Sequence, residues 1–420
     1  MKIFTKFTAS LLILLIVFSC KQENKILDKT AAEILGNPDY LAMSYGGYRQ
    51  NTRDIQPTIE ELKEDMKILN AMGVKIIRTY NTKLAEAPNL LKAISELKKE
   101  NPQFEMYVML GVWIDCENAW TDSPNHEAED TEANTGEIER AIALTNQYPD
   151  IVKVIAVGNE AMVHWASAYF VQPGIILKWV NHLQNLKQEG KLPKELWITS
   201  SDNFASWGGG DASYHKEDLT KLLNAVDYVS LHTYPFHDTH YNPEYWYTLE
   251  TDDSLSTVDK VDKAMERAKN YAIMQYQQTA NYIASLGIKK PIHIGETGWA
   301  SYTNSMYGDE GSKATDEYKE KLYYDAMRDW TNKAGMACFY FEAFDEQWKD
   351  ANNPSGSENH FGLFTIDGKA KYALWDLVDK GVFNGLTRNG NPITKTFNGN
   401  KTELMNTVLA PNKKPLVVEK

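Results

Sequence analysis

The feature that most constrains the fold is the alternation of short apolar runs with longer amphipathic stretches along the chain. Eight runs have the length and composition of strands: 41–45, 74–80, 104–112, 151–157, 196–200, 226–233, 292–296 and 336–341. Each is followed by apolar residues at helical spacing, in 59–72, 84–97, 137–147, 175–187, 216–224, 258–286, 317–333 and a last helix from 372 to 378. A helix between two strands returns the chain to the same end of the sheet, so the strands are predicted to be parallel.

Eight such units close most simply into a (β/α)8 TIM barrel of the α/β class, with an open doubly wound sheet as the alternative. Long loops after the third, fifth, sixth and eighth strands favour the barrel, because barrel enzymes build their sites from these loops. Although the length also allows two ordinary domains, we predict one catalytic domain over residues 39–390. Residues 391–420, rich in Asn, Thr, Lys and Pro, are predicted to form an irregular C-terminal extension.

The N-terminus has the pattern of a secretion signal. Lys2 and Lys6 precede an apolar run over 11–18 that is too short to span a membrane comfortably. Cys20 follows, which resembles a bacterial lipoprotein signal in which the cysteine becomes lipidated. We therefore expect a signal peptide over 1–19, a lipidated Cys20 with a tether over 20–38, and anchoring to the outer membrane on either face. An ordinary signal peptide cut nearby is the alternative.

The composition narrows the range of partners. The chain carries 57 acidic and 44 basic residues, a net charge of −13, which argues against nucleic acid and suits a neutral substrate. Eleven Trp and 23 Tyr provide aromatic surface for stacking on sugars, although most are expected in the core. Cys116 and Cys338 lie beside apolar runs, so free buried thiols are favoured over a disulfide between them.

Two strand candidates run directly into a carboxylate. The apolar run 151–157 leads to Glu160, and the run 292–296 ends on Glu296. In a parallel barrel both acids lie at the carboxyl-terminal mouth, on the fourth and seventh strands. A single glutamate at such a place is ordinarily a solvated rim residue, but two on these strands favour a catalytic pair.

Hydrolysis of an acetal needs a protonated acid beside the leaving oxygen and an anion that attacks the sugar. Two acids in one dry pocket repel each other as anions, which separates their pKa values and allows both roles. A separation of about 5–5.5 Å predicts a retaining mechanism through a covalent glycosyl-enzyme. Asn159, beside the first acid, is suited to hold the sugar 2-hydroxyl.

Four motifs resemble glycoside hydrolase family 17, the endo-β-1,3-glucanases and related transglucosylases, in its fungal and bacterial branch. They are VGNE at 157–160, GETGWAS at 295–301, FEAFDEQWK at 341–349 and ENHFGLF at 358–364. The resemblance extends over roughly residues 40–380 and implies that Glu160 is the acid/base and Glu296 the nucleophile. One departure is Ala300, where the family usually has proline; it affects neither role.

Further residues at strand ends are predicted to contact substrate or the catalytic pair. Arg78 is expected to orient the nucleophile, with a structural ion pair as the alternative, and Tyr234 to donate to Glu296, with rim packing as the alternative. Trp299 is expected to stack on the sugar at the cleavage point. The remaining candidates are Tyr45, Tyr80, His232, Glu342, Glu346 and Lys349. For the last three, a solvated loop with local ion pairs is the alternative. Three more tryptophans follow strand ends and are assigned either to the cleft or to packing: Trp113, Trp165 and Trp207.

Other chemistries lack their motifs, since the chain has no G-x-S-x-G elbow, P-loop or H-E-x-x-H. His237 and His240 are assigned to a hydrophilic loop rather than to a metal site, and no metal or cofactor is required. The predicted function is endo-hydrolysis of a β-1,3-glucan by a monomer. A transglucosylase using the same glutamates is the close alternative, and a surface glycan-binding protein that has lost catalysis is the alternative of another class.

Overall fold

The computed structural model describes residues 29–415. The predicted signal peptide, Cys20 and most of its tether lie outside the described residues, as do the last five residues of the extension. Eight strands, β1 to β8, form the central sheet: Leu41–Ser44, Val74–Arg78, Tyr107–Val112, Val152–Asn159, Trp197–Asn203, Val229–His232, Ile292–Gly298 and Cys338–Phe341. After each strand the chain returns through a helix, and these helices are numbered α1 to α8: Ile59–Ala71, Glu86–Glu100, Thr131–Gln147, Pro173–Gln188, Glu217–Ala225, Thr257–Ser285, Glu317–Lys333 and Trp375–Asp379.

The sheet is a closed barrel in which each strand pairs with its neighbours along the chain. All eight pairings are parallel, and β1 closes the barrel against β8, with Ala42 opposite Phe339 and Met43 opposite Tyr340. The (β/α)8 prediction is confirmed, and the open sheet is excluded. Parallel closure brings every strand's carboxyl end to one mouth, where the loops that carry function are found.

The core has two layers because side chains alternate along each strand. In β1, Met43 joins the cluster between the barrel and its helices, whereas Ala42 points into the barrel interior. The short helix Ala31–Ile34, capped by Thr30, packs into that interior cluster against residues near the starts of strands, such as Tyr107 and Ala337. This helix therefore seals the base of the barrel, at the end opposite the mouth.

Several elements escaped the sequence prediction. A two-stranded ribbon, Cys116–Glu117 with Asn125–Glu129, lies in the loop after β3, and a short helix, Pro235–Tyr241, follows β6. The extension is mostly irregular, as predicted, but contains the helix Lys401–Met405 and touches the barrel domain through a bridge between Thr248 and Lys413. The extension is thus packed on the catalytic domain.

Cys116 and Cys338 are free and buried, so the preference for thiols over a disulfide is confirmed. Burial raises the pKa of both thiols. No helix within residues 29–415 is both long and apolar enough to cross a bilayer.

Candidate active site

Glu296 lies within β7 and is buried at the mouth of the barrel, only 7% exposed. Its Oε2 accepts hydrogen bonds from Arg78, at the end of β2, and from the Tyr80 hydroxyl at 2.8 Å. Its Oε1 accepts a hydrogen bond from the Tyr234 hydroxyl at 2.7 Å. The structure thus brings together Arg78, Tyr80 and Tyr234 around the predicted nucleophile.

These donors decide the charge of Glu296. Burial alone would raise its pKa, but the Arg78 charge and the two tyrosine hydroxyls outweigh burial and hold the pKa below its ordinary 4.5. Each of these groups stabilises the ionised form, so Glu296 is an anion at neutral pH. An anionic, oriented carboxylate is what nucleophilic attack on a sugar carbon requires.

Glu160 directly follows β4 and takes a left-handed backbone conformation, with a φ of +47°. Its amide donates to the Ser201 carbonyl at 2.9 Å, which extends the β4–β5 pairing by one residue. Gly158, also at positive φ, makes the turn possible, since a Cβ there would come within 2.8 Å of the Ala161 Cβ. The local backbone therefore presents the Glu160 carboxyl at the end of its strand.

The environment of Glu160 has the opposite effect on its charge. Burial, followed by repulsion from the Glu296 carboxylate, raises the pKa of Glu160 to about 8. Glu160 is therefore protonated at neutral pH while Glu296 is ionised. This difference supplies one proton donor and one anion in a shared pocket, and acetal hydrolysis requires both.

His232, at the end of β6, lies behind Glu160. Its Nδ1 is 3.2 Å from the Glu160 Oε1, and its Nε2 is 2.7 Å from the Ser201 hydroxyl, which in turn contacts Ser230 at 2.8 Å. Burial lowers the pKa of His232 to about 4, so the imidazole is neutral. The prediction that His232 binds substrate is wrong, because the ring is fully buried and both nitrogens contact protein groups.

Asn159 shares Arg78 with the nucleophile. The Arg78 guanidinium donates to the Asn159 Oδ1 at 2.5 Å and also to the Gly295 carbonyl at 3.1 Å. Because the amide oxygen faces Arg78, the amide nitrogen points away and is available to donate to a sugar hydroxyl. Arg78 therefore holds both Glu296 and Asn159, which fits the predicted orienting role better than the alternative of a purely structural ion pair.

Glu342, Glu346 and Lys349 form a buried ionic cluster after β8. The Lys349 ammonium lies 2.5 Å from the Glu342 Oε1 and 3.5 Å from the Glu346 Oε2. It also sits 3.9 Å from the centre of the Phe341 ring, whose edge contacts reach Tyr80 and Tyr234. The cluster therefore borders the nucleophile's pocket, and its contact with substrate stays a prediction.

The chain matches a known protein family. Residues 42–362 match the model of the BtgE/BtgC glycoside hydrolase domain. The chain belongs to this glycoside hydrolase family. The match covers both glutamates and the strand-end residues around them, and it confirms the predicted enzyme class.

This glycoside hydrolase is also similar to individual proteins. An endo-laminarinase from Formosa Hel1_33_131, known from its crystal structure, is 66% identical to this chain in sequence, with a TM-score of 0.91. The match covers 93% of this chain and all of the laminarinase chain. A glucan 1,3-beta-glucosidase of Arthroderma benhamiae is 25% identical over 319 residues, 74% of this chain and 83% of the relative. A beta-1,3-glucanosyltransferase from Rhizomucor miehei, at 17% identity and a TM-score of 0.55 over 80% of this chain and 96% of that one, shares the fold.

Two predicted contact residues of the glycoside hydrolase lie outside the cleft. Trp299 is fully buried, donates its indole N–H to the Ala314 carbonyl at 2.8 Å, and packs against Phe236 and Trp246. It therefore cannot stack on a sugar. The Tyr45 hydroxyl donates to Asp65 of α1 at 2.9 Å, so its ring supports the outer layer. Trp207, left open between cleft and packing, is also fully buried.

An aromatic cluster beside Glu160 was predicted only in part, because Trp113 was named as a candidate but Trp120 and Tyr169 were not. Trp113, Trp120 and Tyr169 stack together in the loops after β3 and β4. The available signal was Trp120 itself, a large aromatic within the polar stretch 115–132. The Nδ1 of His237 forms a hydrogen bond with the Tyr307 hydroxyl, at a distance of 3.2 Å.

Proposed function

We propose that this monomeric enzyme is a retaining hydrolase that cuts β-1,3-glucan chains internally. The observation that carries the proposal is that two carboxyl groups at one mouth are held in different protonation states. Glu160 is kept protonated by burial, and Glu296 is kept ionised by Arg78 and two tyrosines. The endo-laminarinase that is 66% identical supports the choice of substrate.

In the proposed double displacement, Glu296 attacks the anomeric carbon while Glu160 gives its proton to the departing glycosidic oxygen. The resulting ester removes the negative charge of Glu296. That charge is one cause of the raised pKa of Glu160, so the pKa falls once the ester forms. Glu160, now an anion, takes a proton from water while the water oxygen attacks the anomeric carbon. The bond from that carbon to the Glu296 oxygen breaks, which releases the sugar with retained configuration and restores both carboxyl groups.

The exposed aromatic side chains support internal cleavage. Four of the large apolar side chains that are exposed in the described part of the chain are aromatic: Trp120, Trp165, Tyr241 and Tyr302. They follow β3, β4, β6 and β7, so all four lie in segments that leave the carboxyl ends of strands at the catalytic mouth. Aromatic surface spread around the mouth fits a long glucan laid across it better than a single terminal sugar.

Defined β-1,3-glucan oligomers test the proposal. The wild type should release internal fragments from a hexamer with retention of the anomeric configuration, and Glu296→Gln should abolish release. Products longer than the starting oligomer would instead support transfer to a second sugar. Equal turnover by Glu296→Gln would contradict the assigned mechanism, and binding without any cleavage by the wild type would indicate a glycan-binding protein.

We further propose that lipidation at Cys20 anchors the enzyme to the outer membrane. The basic start and apolar run before Cys20 support this placement. The helix Ala31–Ile34 lies at the base of the barrel, so a tether from Cys20 reaches the domain at the end opposite the catalytic mouth. An anchor at this place leaves the mouth facing away from the lipid.

A further inference from the structure

Three aromatic rings come together in the loops after β3 and β4, and we call this group the aromatic platform (Trp113, Trp120 and Tyr169). The Trp120 and Tyr169 rings are stacked, with centroids 4.9 Å apart and planes inclined by 20°. Trp113 lies 5.1 Å from Tyr169 and 6.3 Å from Trp120. The rings form one continuous apolar surface.

Polar contacts hold the platform in place. The Asp115 Oδ1 accepts both indole N–H groups, from Trp113 at 2.8 Å and from Trp120 at 3.1 Å. Two backbone hydrogen bonds tie the loops together, from Trp120 to the Ala168 carbonyl and from Cys116 to the Tyr169 carbonyl. The surface is therefore preformed and needs little ordering when a ligand arrives, which reduces the entropic cost of binding.

The platform is open on one side. Trp120 is 61% exposed, whereas Tyr169 beneath it is only 9% exposed. Leaving an indole in water forgoes the free energy that its burial would supply. The apolar C–H face of a pyranose ring has the flat shape needed to cover such a surface.

The platform lies on the side of the mouth that holds the proton donor. The loop that carries Tyr169 begins at Glu160, and Val112 of β3 pairs with Val157 of β4, which places Trp113 beside Gly158. Burial and then the Glu160 charge raise the pKa of the Tyr169 phenol, in agreement with this proximity. Sugars attached to the oxygen that Glu160 protonates must continue past Glu160.

We propose that the aromatic platform binds glucose units of the leaving group, on the reducing-end side of the bond that is cut. This inference rests on the proposed β-1,3-glucan hydrolysis and adds the direction in which the chain lies. Trp120 supplies the stacking face, Tyr169 supports it from below, and Asp115 fixes both indoles. Sugars held there also stay in place after the first step, where they can compete with water for the glycosyl-enzyme.

Cleavage of a β-1,3-glucan hexamer labelled at its reducing end tests the direction. Removing the ring in Trp120→Ala should raise KM by about tenfold, the scale of one lost aromatic stack. It should also move the cut toward the reducing end, because fewer sugars are then held on the leaving-group side. Trp120→Phe, which keeps a ring, should restore most of the wild-type pattern.

A matched substrate separates the platform from the catalytic pair. A nitrophenyl β-laminaribioside has no sugar in its leaving group, so Trp120→Ala should cleave it within about twofold of the wild-type kcat/KM. The inference is overturned if Trp120→Ala leaves the hexamer pattern unchanged, moves the cut toward the non-reducing end, or loses activity equally on both substrates. Failure of the wild type to cut the hexamer would instead overturn the proposed function.

Discussion

At the scale of single residues, the roles of the two glutamates follow from the donors that reach each carboxylate. Glu296 accepts hydrogen bonds from one guanidinium and two phenols, all of which favour the anion. Within residues 29–415, the Glu160 carboxyl has one hydrogen-bonding side chain, the neutral imidazole of His232, so burial keeps its proton in place. The same residue type thus takes two protonation states in one pocket.

Replacing Glu160 by Gln keeps the shape of the side chain but removes the proton it donates. We expect the rate of the first step on a glucan oligomer to fall by about 10²- to 10⁴-fold, the usual contribution of a general acid. A dinitrophenyl glycoside should lose far less in its initial burst, because that leaving group departs without a proton. Similar losses on both substrates would contradict the acid role; burst kinetics on the two substrates make the comparison.

The pH dependence of kcat/KM should be bell-shaped. Glu296 must be ionised, and its lowered pKa puts the acidic limb below 4.5; Glu160 must be protonated, so activity is lost as the pH rises through about 8. The titratable or cationic side chains whose electrostatic influence reaches Glu160 are Glu296, His237, Arg78 and Glu358.

His232→Ala should move the alkaline limb to lower pH, because water then reaches the buried face of Glu160 and weakens the main cause of its raised pKa. This variant tests a positioning role, since a merely structural loss would lower activity at every pH alike. Full pH–rate profiles of the wild type and the variant provide the measurement. An alkaline limb that stays at the wild-type pH would show that His232 does not set the pKa of Glu160.

At the scale of elements, the sequence predicted the barrel well because its signal is local. Every predicted strand overlaps an observed one, and the helix 317–333 agrees at both ends. The third helix begins at Thr131 rather than 137, because Asp130 caps a first turn whose polar residues hide the helical period. The spacing of apolar residues locates helices and strands, but it does not reveal a capped first turn made of polar residues.

The catalytic pair and the donors Arg78 and Tyr234 were also predictable, because strand ends of a parallel barrel must converge. The orientations of Tyr45, Trp299 and His232 were not. Each of these side chains follows or ends a strand, and whether it faces the mouth or the packing layer depends on partners from distant segments. Asp65 of α1, for example, draws the Tyr45 hydroxyl outward.

A buried ion pair just before the C-terminal extension provides a stability prediction at this scale. Arg388 is fully buried against Asp65, which also pairs with Arg49. Arg388→Ala should lower the free energy of unfolding by about 3 kcal/mol, the low end for breaking a buried pair, since Arg49 remains. Lys414→Ala removes a pair of exposed side chains with Glu244 and should leave the free energy of unfolding almost unchanged, because solvent screens such pairs. Equal unfolding midpoints of the two variants in denaturant would contradict the stabilising role of the buried pair between Arg388 and Asp65.

At the scale of the whole molecule, the two ends of the barrel have separate tasks. The helix Ala31–Ile34 closes the base, and the catalytic carboxylates and exposed aromatics lie at the mouth. Attachment and catalysis are therefore expected to be independent of each other. The net charge of −13 is compatible with a neutral polysaccharide as substrate.

Cys20→Ser should release the enzyme from the membrane fraction without changing kcat on soluble oligomers. The reason is that the proposed lipid is attached through the base, away from the mouth. Fractionation of cells that express the wild type and the variant checks the prediction, and Cys338→Ser, a buried thiol, serves as the control that should remain membrane-bound. Release of neither variant, or loss of kcat on release, would contradict this arrangement.

The most direct test of the account is to trap its covalent intermediate. A 2-deoxy-2-fluoro laminaribioside with a good leaving group should label the enzyme once, and mass spectrometry of its peptides should place the sugar on Glu296. The same reagent should leave Glu296→Gln unlabelled. A label on any other residue, or steady turnover of the glucan with inversion of the anomeric centre, would contradict the assignment of Glu296 as the nucleophile.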